Sequence, residues 1–194
     1  MGYSLATRGR LADGLASTLR GADLEPLTPM WTSNAGLIYR WMRDDAAAQV
    51  QLRRSRDVDP RFLLSRIELG RTHAAAGRLE EAMREFERAE TDSGGHPIAT
   101  GDVGYASALL GRRADGGRCL ARLAEMSSQR YVPPSAQAMV HLGLGDRDGV
   151  FECLDRAAED REARIIHLKV DPLYDPVRPD PRFETLLRLA GLSR

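Results

Sequence analysis

The stretch Gly77-Arg-Leu-Glu-Glu-Ala-Met-Arg-Glu-Phe-Glu-Arg-Ala89 decides the fold, because the rest of the chain repeats the unit it belongs to. Gly77 stands where one helical pattern stops and the next starts, and steps of 34 residues from it land on Gly9, Arg43, Gly111 and Gly145. A second ladder, seven residues upstream, runs through Gly2, Gly36, Gly70, Gly104 and Ala138. Two ladders in register, with small residues on nearly every rung, mark an array of copies, since a fixed period of roughly 20 to 50 residues is the signature of stacked units. The upstream glycines lie inside helical patterns, where each costs about 0.5 to 1 kcal/mol relative to Ala. A cost repeated at that spacing implies that a partner helix crosses closer than the usual ~8 to 10 Å. Gly77, Gly111 and Gly145 instead follow an apolar run and precede a polar residue, the stop signal of a helix ending in a left-handed residue. Ala82, Phe86 and Ala89 place two small residues and one large one on a single face of the helix between them.

Composition agrees with an Ala- and Leu-rich helical protein. The chain has 194 residues, 42% of them hydrophobic but only 6% aromatic, so its core is made of many small contacts. Lys+Arg and Asp+Glu are both 28, and Arg53, Arg54 and Arg56 are followed by Asp57 and Asp59, which leaves no basic stripe for nucleic acid. Neither a membrane-spanning apolar run nor the apolar core of a signal peptide is present, and the expectation is a cytoplasmic protein. Met1-Gly2 begins like a myristoylation site, but Ala6 stands where Ser or Thr is required. Cys119 and Cys153 occupy the same place in adjacent units, about 10 Å apart by helix spacing, beyond the reach of a disulfide. Both are expected to be reduced and structural.

Taken in order, residues 1–26 read as a truncated first repeat, with apolar Leu5, Leu11 and Leu15 expected to lie unusually exposed because no earlier unit covers them. Repeats follow over 29–60, 61–94, 97–128 and 131–160, and 161–194 reads as a C-terminal cap. The third of these is rich in glycine, with Gly101, Gly104 and Gly116-Gly117, and is expected to be the weakest helically and the most mobile. The cap contains three Asp-Pro pairs, read as rigid turns, the last of them an N-cap Asp180 with Pro181 opening a short helix to about Ala190. The expected fold is all-α: a right-handed α-solenoid of antiparallel helix pairs in a single domain.

Gly77-Arg-Leu-Glu-Glu-Ala-Met resembles the heart of a tetratricopeptide repeat. Tyr131-Val-Pro-Pro134, Gly143-Leu-Gly-Asp146 and the segment from Leu168-Lys-Val-Asp-Pro172 to Asp180-Pro-Arg-Phe183 resemble the closing part of repeat domains at the C-terminal end of bacterial signalling proteins. In that group the repeats commonly follow a winged-helix regulator, a Ser/Thr kinase or a nucleotide cyclase. The resemblance covers nearly the whole chain and implies a scaffold rather than an enzyme.

Motif-like features have simpler readings. Gly143-Leu-Gly-Asp-Arg-Asp-Gly149 lacks the Gly-Lys-Ser/Thr ending of a phosphate loop and the closing Glu of a calcium loop, and is a repeat turn. His73 and His141 sit two repeats apart, about 20 Å by helix spacing, too far to share a metal. His96 and His167 read as solvated or packed residues. No nucleophile–base set is suggested, and neither catalytic residues, a metal nor a cofactor is expected.

What remains is a binding surface. The resemblance implies that the first helix of each pair lines the concave side, so the residues flanking each ladder glycine are the candidates: Ser33, Leu37, Arg40 and Trp41, then Ile67 and Arg71, then Tyr105 and Leu109, then Met139 and Leu142. Aromatic and apolar residues with two arginines suit a peptide groove with an acidic anchor. Arg71, Leu37 and Tyr105 are expected on adjacent strips of one surface. The competing reading is that Trp41 and Leu37 pack against the neighbouring first helix. Asn does not follow the ladder glycines, whose successors are Leu37, Arg71, Tyr105 and Met139, so the binding of chaperone C-terminal tails is disfavoured. The expected partner is a protein or peptide, with neither nucleic acid nor membrane engaged directly and with self-association through the N-terminal end. The alternative is a ligand-sensing piece of a larger regulator that binds a small molecule in the same groove.

Overall fold

A computed structural model describes residues 2–192, and every element among them is helical. Eleven α-helices follow one another: α1 (Gly2–Thr7), α2 (Leu11–Leu24), α3 (Pro29–Trp41), α4 (Asp45–Val58), α5 (Leu63–Ala75), α6 (Leu79–Asp92), α7 (Pro97–Leu109), α8 (Arg113–Ser127), α9 (Pro134–Leu144), α10 (Arg147–Glu159) and α11 (Pro181–Leu189). Two short 3-10 segments, Ala163–His167 and Pro172–Tyr174, lie between the last two helices. Met1, Ser193 and Arg194, the outermost residues of the expected first repeat and cap, lie outside the described residues.

The two glycine ladders do different work. At all five turn positions the backbone is left-handed, with φ of 86° at Gly9, 73° at Gly77, 79° at Gly111 and 71° at Gly145. Arg43 takes the same conformation, φ 63°, without glycine's freedom, at a cost of roughly 1 to 2 kcal/mol. At Gly36 on the other ladder, an added Cβ would lie 2.6 Å from the Leu52 side chain and 3.1 Å from the Ala48 carbonyl oxygen of α4. Only a missing side chain lets α3 and α4 approach that closely.

Helix starts are fixed locally. Asp44, Asp146 and Asp180 accept hydrogen bonds from the backbone N–H of Ala47, Gly149 and Arg182 at 3.0, 3.1 and 3.0 Å. Pro29, Pro97 and Pro134 occupy first helical positions, where no N–H is needed. On α6 the buried residues Ala82, Met83, Phe86 and Ala89 form one stripe, as its spacing predicts.

By contacts the chain divides into two compact units, Met1–Glu85 with Lys169–Leu173, and Phe86–Leu168 with Tyr174–Arg194. Within the first, α1 packs on α2, α2 on α3, α3 on α4 and α4 on α5, and α3 also touches α5. Contacts between next neighbours and next-but-one neighbours are those of stacked helix pairs. The second unit repeats the pattern, α7 packing on both α8 and α9, α9 on α10, and α10 on α11.

Two expectations change. Leu5, Leu11 and Leu15 are half-buried, and Leu11 and Leu15 pack with Tyr3 on a core of Ala6, Leu37, Ile38 and Trp41. The first helix pair folds back onto its successor, and the most exposed large apolar residues are instead Leu24 and Leu27, at 83% and 85%, at the end of α2 and in the turn that follows. Gly101 and Gly104, read as helical weakness, are where α9 reaches α7: a Cβ at Gly101 would collide with the Ala136 carbonyl, and one at Gly104 would stand 2.7 Å from Val140.

Candidate binding surface

The first helices carry the candidate residues, and the structure separates them by burial. Ser33, Leu37, Arg40, Trp41, Ile67, Arg71 and Met139 are buried, Tyr105 and Leu142 are half-buried, and Leu109 is 39% exposed. The packing reading therefore describes Leu37 and Trp41, which stand in the core cluster of the first unit. Ladder glycines draw the helices together, and residues one turn away then face a neighbouring helix rather than solvent.

Arg40 and Arg71 are not solvent-facing anchors but members of an internal ion network. Arg40, 2% exposed, donates from Nη1 and Nη2 to the two carboxylate oxygens of Asp171 at 2.7 and 2.9 Å. Its Nη2 also donates to Glu68 Oε2 at 2.9 Å, and Arg71 Nη1 donates to the other Glu68 oxygen at 3.2 Å. Glu68 is fully buried, Asp171 is 1% exposed and Arg71 3%. The Asp171 and Glu68 carboxylates hold Arg40 charged and raise its pKa, against the burial that opposes them. Such bidentate pairs are strong only when the remaining donors and acceptors are also met. Glu68 and Asp171 escaped the sequence reading. The available signal was Arg40 itself, on a helix face too tightly packed to admit a guanidinium without an acidic partner.

In the second unit the more accessible candidates lie on α7 and α9, which approach closely: a Cβ at Gly143 would stand 2.6 Å from the Tyr105 carbonyl oxygen. Tyr105 and Leu109 are on α7, and Leu142 is on α9. The N-terminus of α9 is fastened from below: Ser135 donates its N–H to Glu162 Oε2 at 3.0 Å and its hydroxyl to Glu162 Oε1. Glu90 accepts from Thr100 of α7 at 2.6 Å and from Arg122 at 2.8 Å. A surface on two firmly held helices has little ordering entropy left to lose on binding.

The histidines serve structure. Arg78 Nε donates to His73 Nδ1 at 3.0 Å, and His141 Nδ1 shares a hydrogen bond of 2.8 Å with Asp146, each partner five residues downstream. Burial, then the Arg78 guanidinium, pushes the His73 pKa down, while burial, then Arg130, does the same for His96. Burial raises the pKa of both Cys119 and Cys153, which makes poor nucleophiles of them. Among the described residues no group of three or more His, Cys, Asp or Glu is placed to hold a metal ion, and no helix is long and apolar enough to cross a membrane.

No protein-family model and no curated protein matches the chain. Solved structures do. A tetratricopeptide repeat protein from Parabacteroides merdae ATCC 43184 superimposes with a TM-score of 0.57 at 14% identity, over 99% of this chain and 77% of that one. PilW, a widely conserved type IV pilus biogenesis factor, superimposes with a TM-score of 0.61 at 17% identity, over 96% of this chain and 89% of that one. At these identities the likeness is one of fold, and the fold is an all-α solenoid of the tetratricopeptide type.

Proposed function

We propose that this tetratricopeptide-repeat chain is a non-enzymatic scaffold that binds a protein or peptide partner on its first helices, in bacterial signalling or transcriptional regulation in the cytoplasm. The observation that carries the reading is the set of Tyr105, Leu109 and Leu142, solvent-accessible aromatic and aliphatic side chains on helices that are otherwise mostly buried. Aromatic anchors of this kind on a rigid frame supply much of the affinity at protein interfaces. The fold's likeness to PilW, itself named for pilus biogenesis, agrees with a role in assembling other proteins. Leu142 also lines a cleft with Val150 and Val177 of about 210 Å³, below the roughly 300 to 1,000 Å³ usual for small-molecule sites, which favours a protein or peptide over a small molecule there.

Affinity capture from lysate of a bacterium that encodes the chain, with a photo-crosslinker at residue 109 and mass spectrometry, should identify the partner. Leu109→Glu and Tyr105→Ala should each weaken its binding by tenfold or more, a loss of about 1.4 kcal/mol, with unchanged helix content. A partner that binds both variants as tightly as the parent would show that this set is not the docking surface.

A further inference from the structure

A segment from late in the chain packs against the first unit's candidate binding residues. Lys169–Leu173 is assigned by its contacts to the first unit, although it comes late in the sequence. Val170 packs against the cluster of Ala6, Leu37, Ile38 and Trp41, and Asp171 accepts from Nη1 and Nη2 of Arg40. Three of the residues in contact, Leu37, Arg40 and Trp41, are those the repeat pattern marks for ligand binding. No long helix holds the segment. It is a turn that runs into the second 3-10 segment at Pro172, steadied by the Leu173 N–H donating to Asp171 Oδ1 at 2.9 Å.

We infer that this surface is a docking site for a partner segment in which an apolar residue is followed by Asp, and that residues 169–173 are a resident copy of that ligand which the partner displaces. This rests on the peptide-scaffold reading and names the chemistry of the peptide. The charges identify the ligand class. Arg40 spends its Nη donors on Asp171 and Glu68, and withdrawal of Asp171 leaves Nη1 without its acceptor in a site from which water is excluded. A buried guanidinium short of acceptors is costly, so a vacated site demands another carboxylate in the same place, and Arg side chains are the usual readers of acidic motifs. The apolar floor under Val170 fixes which residue precedes it. A tethered segment competes at an effective concentration on the order of millimolar, so the parent chain is closed to weak ligands and opens to stronger or locally concentrated ones.

The test uses the full chain and a fluorescent synthetic peptide with the sequence of residues 167–175, titrated by anisotropy. Asp171→Ala removes the resident carboxylate. Val170→Ser loosens the segment without leaving an unpaired charge, and decides the matter if Asp171→Ala does not fold. The peptide should bind at least one folded variant ten times or more tighter than it binds the parent. Its own Asp→Ala version should bind at least tenfold more weakly. Failure to bind either variant, or binding indifferent to the peptide's Asp, overturns the inference. So does sedimentation showing that the variants pair through exchanged segments while refusing the peptide, since the occupant is then a second copy. If the peptide fails while Leu109→Glu still releases a captured partner, the scaffold reading stands and only this site falls. If the peptide binds but the Leu109 and Tyr105 variants keep their partner, the reverse holds.

Discussion

The two units solve the same packing problem by different means. In the first, α3 and α5 are joined through charge: Arg40 of α3 reaches Glu68 of α5 at 2.9 Å, and Asp171 covers the other side of the guanidinium. In the second, α7 and α9 are joined by absence of side chains, with Gly101 against Ala136, Gly104 against Val140 and Gly143 against Tyr105. The first arrangement is specific but conditional, because each buried charge depends on a neighbour. The second is unconditional but tolerates no added atom. The ligand-exchange site falls in the first unit, where Arg40 holds a carboxylate that another can replace.

The largest expected effect breaks the charged arrangement. Arg40→Ala removes the guanidinium that Glu68 and Asp171 share in a dry interior, and loss of one partner of a buried pair costs about 3 to 5 kcal/mol. Equilibrium denaturation should show the loss, and hydrogen exchange should place it in residues 2–85 rather than across both units. Uniform loss of protection in both units would erase the contrast.

Glycine substitutions sharpen the other side of the comparison by having opposite signs. Gly101→Ala drives a Cβ into the Ala136 carbonyl, and overpacking of this kind costs about 1 to 3 kcal/mol. Gly117→Ala on α8, where an added Cβ meets nothing within 4 Å, should instead stabilise by about 0.5 to 1 kcal/mol through helix propensity. Thermal melts of the two variants beside the parent settle the signs, and equal shifts would mean that close approach is not what Gly101 provides.

The smallest effect is shared between the units. His73 in the first and His96 in the second both titrate below the ordinary histidine range when folded, mainly because burial disfavours the charged ring. The unfolded chain then takes up protons first as the pH falls. Stability present above the unfolded value of about 6.5 is lost as the pH falls through the folded-state values. Urea midpoints measured from pH 7.5 to 5.5 should decline, and His73→Gln and His96→Gln should each flatten the decline. A slope unchanged in the double variant would assign the dependence elsewhere.

Much of the molecule is legible from the chain alone, because the information is local and repeated. The left-handed turns follow from Gly9, Gly77, Gly111 and Gly145, and the same period locates Arg43, the one rung without glycine. Asp44, Asp146 and Asp180 announce the helices they cap, and Ala82, Phe86 and Ala89 announce the buried face of α6. The ladder also selects Leu37, Arg40 and Trp41, but only the tertiary structure decides what they face. Periodicity specifies which side of a helix a residue occupies, and nothing in it says that Asp171, 131 positions beyond Arg40, returns to that side. In sequence Asp171 is one Asp-Pro turn among the cap's three. It becomes the ligand of Arg40 because a buried guanidinium requires a carboxylate, and the fold brings this one within 2.7 Å.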